Sequence, residues 1–309
     1  MISILMATYN GEAFVSAQID SLLRQTEQDF VLYIQDDCSS DGTFLILQQY
    51  QSRYPAQIRV KRNERNSGSA KHNFLSLLKA HDDEYLMFCD QDDVWLPDKV
   101  ERTLCAMRQA EQTHGKETPL LVHTDLRVVD EDLKATHPSF REMSKLDYRR
   151  TALRQLLVVN TVTGCTTMIN RALRNFTANA AAQCTMHDWW LALTASAFGH
   201  IVALANEQTV LYRQHGANEV GAKDVSSARY LLRRLFRPRD VQSSLKATYL
   251  QAEAFANAYE NRLSKEQLAL LRAYSRIPEH GKPGRIWQLF RLRTWKQGIV
   301  RVLGQILYV

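Results

Sequence analysis

Four short apolar runs, each ending in a polar cluster, restrict what this chain can fold into more than any other feature. Ile2 to Ala7, Phe30 to Ile34, Gln57 to Arg62 and Tyr85 to Cys89 have the length of buried strands, the third being the weakest. Between them, Glu12 to Gln25, Asp41 to Arg53 and Ala70 to Lys79 carry helical spacing, with Asp41 as a cap residue. Pro97 is placed to open a further helix to about Thr113, because a missing N–H costs little in a first turn. This alternation predicts a mostly parallel sheet covered on both faces. Ligands bind such sheets outside the carboxyl ends of the strands. Tyr9, Asp36 and Asp37, Asn66 to Gly68, and Asp90 to Asp93 should therefore converge on one edge.

The last of these clusters is the densest. Three carboxylates fall within Asp90-Gln91-Asp92-Asp93. They repel one another unless something positive lies between them, and a hard divalent ion completed by phosphate oxygens is the usual answer. Taken alone, the cluster reads equally well as a solvated acidic turn. No GxGxxG follows the first strand and no glycine makes a Walker loop, which weighs against a dinucleotide enzyme or a P-loop nucleotidase.

The second half reads as a strand from Pro119 to Asp130, a polar connection from Lys134 to Asp147, a helix from Tyr148 to Val159 and a strand from Thr161 to Ile169. A helix from Met186 to Phe198 and a final strand from Gln208 to Gln214 follow. His123, alone in its strand, is read as structural. The five cysteines show no CxxC pair and no zinc spacing, so reduced thiols and a cytosolic compartment are expected. The N-terminus has no basic n-region, so no signal peptide is expected, and no uncharged apolar stretch is long enough to span a bilayer.

Charge is divided unevenly along the chain. Residues 221–309 hold 17 Lys+Arg and 6 Asp+Glu, or +11. The remainder holds 22 basic and 27 acidic residues, or −5, which brings the whole to +6. An acidic body argues against a nucleic-acid-binding core, and a basic tail argues for an anionic surface. Ala228 to Arg237 is basic and amphipathic, and helices are expected at 241–262 and 264–275, with Ser264 as a cap. No acidic residue occurs from Gly281 to Val309. Leu289, Leu292, Trp295, Ile299, Val302, Leu303 and Ile306 fall on one helical stripe flanked by Arg and Lys, the pattern of a helix in a membrane interface. A helix packed on the body or at a dimer interface is the alternative.

ATYNG at 7–11, DDCSSDGT at 36–43, NSGSAKHN at 66–73 and DQDDVWLPDK at 90–99 resemble the nucleotide-sugar domain of the inverting family 2 glycosyltransferases, which have the GT-A fold. With HDWW at 187–190 and YRQHG at 212–216, the chain also resembles the bacterial rhamnosyltransferases of surface-polysaccharide assembly. The resemblance implies an α/β GT-A domain over residues 1–220, with a nucleotide-sugar half at 1–115 and an acceptor half at 116–220. A helical, basic region at 221–309 follows it. It implies that Thr8, Tyr9, Asp37, Asn66, Gly68, Asp90, Gln91 and Arg213 bind the donor, with Tyr9 against the nucleobase and Asp37 accepting N3–H of uracil or thymine. A carboxylate only accepts, so it rejects cytosine, whose N3 has no proton. Asp92, with His215, would hold Mn2+ or Mg2+, and Asp93 would be a supporting or helix-end charge. Asp188 would be the catalytic base, and Trp189, Trp190 and Gly164 would contact the acceptor. The expected activity is transfer of a sugar, L-rhamnose from dTDP-L-rhamnose being favoured, onto a lipid-linked glycan at the inner face of the cytoplasmic membrane. A UDP-hexose or UDP-N-acetylhexosamine transferase, or a non-catalytic sugar-nucleotide-binding subunit, are the alternatives.

Overall fold

The computed structural model describes residues 1–179, 184–216 and 238–309. The basic segment 228–237 lies outside them.

Nine strands of the described residues form one sheet: β1 (Ile2–Thr8), β2 (Phe30–Asp36), β3 (Ile58–Arg62), β4 (Tyr85–Cys89), β5 (Val94–Trp95), β6 (Leu120–Val129), β7 (Ala135–His137), β8 (Thr167–Asn170) and β9 (His200–Arg213). Their order is β3-β2-β1-β4-β8-β6-β9-β5, with β7 beside β6. β1 runs parallel to β2 and β4, and β2 parallel to β3. β8 is inserted antiparallel between β4 and β6, and β9 runs parallel to β6. Alternation along β1 explains the two-sided cover. Ile2, Ile4 and Met6 pack on one face with Val15, Ile19 and Leu22 of α1 (Val15–Leu23) and Met107 of α4 (Lys99–His114). Leu5 and Ala7 pack on the other with Phe74 and Leu77 of α3 (Ala70–Ala80). Runs apolar on both faces are what a sheet buried on both sides needs.

Four sequence expectations need correction. Pro97 does not open α4: the helix starts at Lys99 with Asp98 as its cap residue, and Leu96 and Pro97 turn the chain after β5. Tyr148 to Val159 is helical only in α6 (Leu153–Leu156), and Tyr148 is instead buried with its hydroxyl toward Asp125. The polar connection before it contains β7 and α5 (Phe140–Met143). The remaining helices of the body are α2 (Thr43–Arg53), α7 (Arg171–Thr177) and α8 (His187–Phe198). The cap position of α2 is held by Gly42 rather than Asp41, which stands just before it and accepts from the Thr43 N–H and hydroxyl.

The C-terminal region comprises α9 (Pro238–Ala258), α10 (Lys265–Ser275), α11 (Lys282–Leu292) and α12 (Ile299–Tyr308). Ser264 and Gln267 form a reciprocal capping box at the start of α10. Phe255 and Tyr259 pack on Trp190 of α8, so this region shares the core on one face of the sheet. The expected single stripe over 289–306 is broken. Arg293 adopts a left-handed conformation, Gly298 has φ +79°, and Leu289 turns inward.

Gly199 ends α8 where the chain swings into β9. A Cβ there would fall 1.8 Å from the main-chain oxygen of Pro119, which accepts from His200 N–H at 3.0 Å. Neither backbone can yield without breaking the start of the β6–β9 pairing. Gly199→Ala should destabilise the fold by about 2 kcal/mol or more, read as a lowered melting temperature.

Candidate active site

The parallel register places Thr8 beside Asp36, and Asp36 beside Arg62, at the carboxyl ends of β1, β2 and β3. β4 ends one step away at Cys89, paired with Met6. Because β8 is antiparallel, its beginning lies at this same edge, bringing with it the 3-10 turn Gly164–Thr166. The carboxyl end of β9 also arrives here, and Arg213 N–H donates to Asp93 Oδ1 at 3.1 Å. One cavity of about 810 Å3 opens at the convergence. Thr8, Tyr9, Asp37, Asn66, Gly68, Asp90, Gln91, Asp92, Gly164, Asp188 and Trp189 line it.

The wall nearest β2 is a hydrogen-bonded loop. Asp36 is fully buried and accepts from Ser39 N–H at 3.1 Å and from the Thr8 hydroxyl at 3.2 Å. Arg62 Nε lies 3.4 Å from it. Asp37 Oδ1 accepts from Asn63 Nδ2 at 2.6 Å and Ser67 N–H at 2.8 Å, and Oδ2 accepts from the Ser67 hydroxyl at 2.8 Å. A carboxylate offers about four acceptor positions, so Asp37 keeps capacity for one more donor. Asn66 spans the Asp37 carbonyl and Gly68 N–H. Gly68, at φ +87°, occupies the left-handed region that favours glycine and leaves open space above its Cα. Tyr9 is not a core aromatic. It is 49% exposed, and its main chain is clamped by the Gln91 amide through two bonds of 2.9 Å. The Gln91 amide is thus spent on the backbone.

On the acidic side, Asp92 Oδ2 lies 2.8 Å from His215 Nε2, and both side chains are largely buried. A carboxylate and an imidazole at the cavity margin suit Mn2+ or Mg2+ completed by phosphate oxygens. Asp90, Asp93 and Cys165 also bring one ligand atom each to within 4.8 Å of one another. That set includes a soft thiol; Asp90 lines the cavity, and Asp93 and Cys165 are buried behind it. Asp93 is fully buried, and burial pushes its carboxyl well above the usual range. Lys99, buried over the Trp95 ring at 4.1 Å, has its ammonium lowered to about 8 by burial, against the attraction of Cys165, Cys89 and Asp93. Asp92 with His215 and the Asp90, Asp93 and Cys165 set are thus two candidate donor sets, and the first is without a soft thiol.

Three sequence-expected residues do not line the cavity: Trp190, Arg213 and His215, the last lying beside Asp92 at its margin. Trp190 is fully buried and packs on Phe255 and Tyr259, with Nε1 donating to the Tyr259 hydroxyl at 3.3 Å. The Trp190 ring is held in the core by those two aromatic rings, whereas His187, Asp188 and Trp189 of the same turn face the cavity. Trp189 is the one on the wall, its Nε1 donating to Leu156 O at 2.6 Å. Arg213 lies behind the acidic loop, where Nε donates to Asp92 O at 2.8 Å and the guanidinium stacks over Phe14 at 4.9 Å. Conversely, Asn73, Phe74, Phe140, Leu146, Asn160 and Tyr212 line the cavity without having been singled out. Asn73 and Tyr212 stood inside motifs already read. Phe140 and Leu146 come from the connection expected to be polar, which Asp125 anchors by accepting from the Ser139 hydroxyl and Arg141 N–H.

Asp188 lies in the first turn of α8. Its Oδ2 accepts from Gly164 N–H at 3.1 Å and Oδ1 from Trp189 N–H at 2.6 Å. Burial pushes the carboxyl up to about 7, against the pull of these two N–H groups.

The family model for glycosyl transferase family 2 matches residues 3–175. The dTDP-rhamnosyl transferase RfbG of Shigella flexneri is 30% identical over 243 residues, covering 73% of this chain and 76% of that protein. The chain belongs to glycosyl transferase family 2. This family 2 chain is thus a glycosyltransferase. It is also 36% identical over 108 residues to the UDP-Glc:alpha-D-GlcNAc-diphosphoundecaprenol beta-1,3-glucosyltransferase WfgD of Escherichia coli, covering 35% of this chain and 41% of that one. The crystal structure of S. aureus TarS 1-349 superposes with a TM-score of 0.57 at 20% identity, covering 89% of this chain and 70% of that one. The fold is therefore GT-A.

The Asp188 carboxyl binds its proton more tightly folded than unfolded, so its contribution to stability falls as pH rises from 3.8 to about 7 and then levels. Asp188→Asn removes that slope. The melting-temperature difference, variant minus wild type, should grow in the variant's favour between pH 4 and pH 7 and stay flat above.

Proposed function

We propose that this glycosyltransferase moves L-rhamnose from dTDP-L-rhamnose onto a lipid-linked glycan of bacterial cell-surface polysaccharide, with inversion at the anomeric carbon. The observation that carries the reading is the arrangement of one cavity. The Tyr9 ring and the remaining acceptor position of Asp37 lie on its β1–β2 side, Asp90 and Asp92 are on its acidic side, and Asp188 stands on the helical wall. Tyr9 lies against the base and Asp37 accepts its N3–H. Asp92 and His215 hold a divalent ion, Mn2+ or Mg2+, which when bound screens the charge of the departing diphosphate. Asp188 accepts the proton of the attacking acceptor hydroxyl as its oxygen bonds to the anomeric carbon and the bond to the diphosphate breaks. A base near 7 is matched to this task at neutral pH. The dTDP-rhamnosyl transferase RfbG supports the donor, and the diphosphoundecaprenol-linked acceptor named for WfgD supports a lipid-linked one. WfgD also supports the second reading, a UDP-hexose donor.

Thermal-shift titration against dTDP, UDP, CDP and GDP, with and without Mn2+, tests the site. Stabilisation by dTDP or UDP that needs Mn2+ and disappears in Asp92→Asn is expected. A donor screen then separates rhamnose from the UDP-hexoses. An equal response to all four nucleotides, or none that depends on metal, overturns the metal–nucleotide assignment.

Peripheral docking on an anionic membrane is the second part of the proposal, with a face different from the expected stripe. No helix of the described residues is long and apolar enough to cross a membrane. On α12, Ile299, Leu303 and Leu307 recur every four residues and are 79%, 59% and 48% exposed. On α11, Trp287 and Phe290 are exposed as well, with Arg291 over the Trp287 ring at 5.1 Å. With no acidic residue from Gly281 to Val309, this apolar face has a wholly basic setting, which suits anionic headgroups. The full chain should co-sediment with vesicles containing anionic phospholipid and much less with neutral ones. The double variant Ile299→Glu, Leu303→Glu should abolish it, whereas retained binding in that variant excludes this face.

A further inference from the structure

Leu146 reaches the cavity wall from a stretch with no strand pairing or helix of its own. α5 ends at Met143, Lys145 takes a left-handed φ of +48°, and α6 does not begin until Leu153. Local turns tie the stretch to itself, with Leu146 N–H donating to Arg141 O at 2.9 Å and Arg150 N–H to Asp147 O at 3.1 Å. Its place relative to the body depends on bonds to other elements. Two of these come from the sheet and from α8: the Tyr148 hydroxyl meets Asp125 at 3.3 Å, and the Ser196 hydroxyl donates to Thr151 O at 2.6 Å. Two more come from the connection between α11 and α12. Gln297 Oε1, 150 positions further along the chain, accepts from Asp147 N–H at 2.6 Å. The Arg150 guanidinium donates to Trp295 O at 2.7 Å.

That connection is itself held firmly. Gln305 of α12 is fully buried, accepts from Lys296 N–H and donates to Thr294 O, both at 2.9 Å. Gln297 is only 5% exposed. A buried amide is costly unless its polar atoms are used, and an apolar side chain would fill the same space without that cost. The N–H that Gln297 takes belongs to the residue directly after Leu146, so the bond fixes the main chain beside the side chain on the wall. The same stretch adjoins α8, the helix that carries Asp188, through Ser196 and, further along, through Trp189 Nε1 on Leu156 O.

We infer that Gln297 is a positioning residue for the sugar acceptor: through Asp147 it sets Leu146 on the wall that the acceptor meets on its way to Asp188. The inference rests on the transferase reading of the cavity. On that reading the donor nucleotide has anchors of its own at Tyr9 and Asp37, so a loosened Leu146 wall is felt by the acceptor. The last connection of the chain thereby acts on the site although it does not line it.

Full-length Gln297→Ala leaves Asp147 N–H without its acceptor. With dTDP-L-rhamnose as donor and α-D-GlcNAc-diphosphoundecaprenol as the acceptor probe, KM for the acceptor should rise about tenfold. KM for the donor, and stabilisation by dTDP with Mn2+, should stay at wild-type values. Gln297→Glu keeps an acceptor oxygen at the same reach and should recover most of the loss. A substitution that merely lowers the folded fraction reduces kcat and moves neither KM. Leu146→Ala should itself raise the acceptor KM, and adding Gln297→Ala to it should add little, because the side chain being placed is gone. If Gln297→Ala does not fold, Arg150→Met cuts the companion bond to Trp295 O and should raise the same KM. A folded Gln297→Ala protein with unchanged acceptor KM, an equal rise in donor KM, or full additivity with Leu146→Ala would overturn the inference. Wild-type protein that transfers no sugar would instead sink the reading beneath it.

Discussion

The in-register parallel pairing of β1 with β2 and β4 is the constraint on which the rest of the structure depends. It brings the residues after three strands to one edge, although up to about eighty positions separate them in sequence. Tyr9 and Gln91 can exchange two bonds only because β1 and β4 end side by side. Thr8 and Asp36 meet for the same reason. The one antiparallel strand among these neighbours, β8, has the opposite consequence: its beginning, not its end, lies at this edge, and the Gly164 turn comes with it.

That edge gathers six carboxylates, Asp90 among them, and their environments differ. Asp36 and Asp37 have their charge spread over neighbouring hydroxyl and N–H groups of the loops they hold. Asp93 is turned into the core near Lys99, and takes the Arg213 N–H that ties β9 to the acidic loop. Asp92 meets His215 at the cavity margin. Asp188, across the cavity, has its carboxyl raised by burial, against the pull of the backbone N–H groups it accepts from. Burial raises the proton affinity of both Asp93 and Asp188, because it penalises the charged carboxylate.

The C-terminal helices have two roles set by which face they bury. Phe255 of α9 and Tyr259, just after it, close the core over Trp190 of the helix that carries Asp188. The last two helices instead leave large apolar side chains outside, on a stretch without acidic residues. The left-handed backbone at Arg293 and Gly298 separates the two helices.

Local sequence determined much of this protein. Apolar runs of strand length, helical spacing between them, and polar residues at each strand end specified a parallel sheet with a site on one edge, since periodicity and sheet chirality leave few other arrangements. The motif set at 7–11, 36–43, 66–73 and 90–99 identified the family. Tertiary structure alone decided which neighbours in a motif face the cavity. Trp189 reaches it and Trp190 does not, because the turn angle of α8 and the packing of Phe255 and Tyr259 fix which side is core. It alone turned Arg213 behind Asp92, brought Phe140 and Leu146 to the wall through the Asp125 anchor, and split the C-terminal stripe in two. These depend on contacts between residues far apart in the chain, and on left-handed backbone at a residue such as Arg293 that gives no local signal.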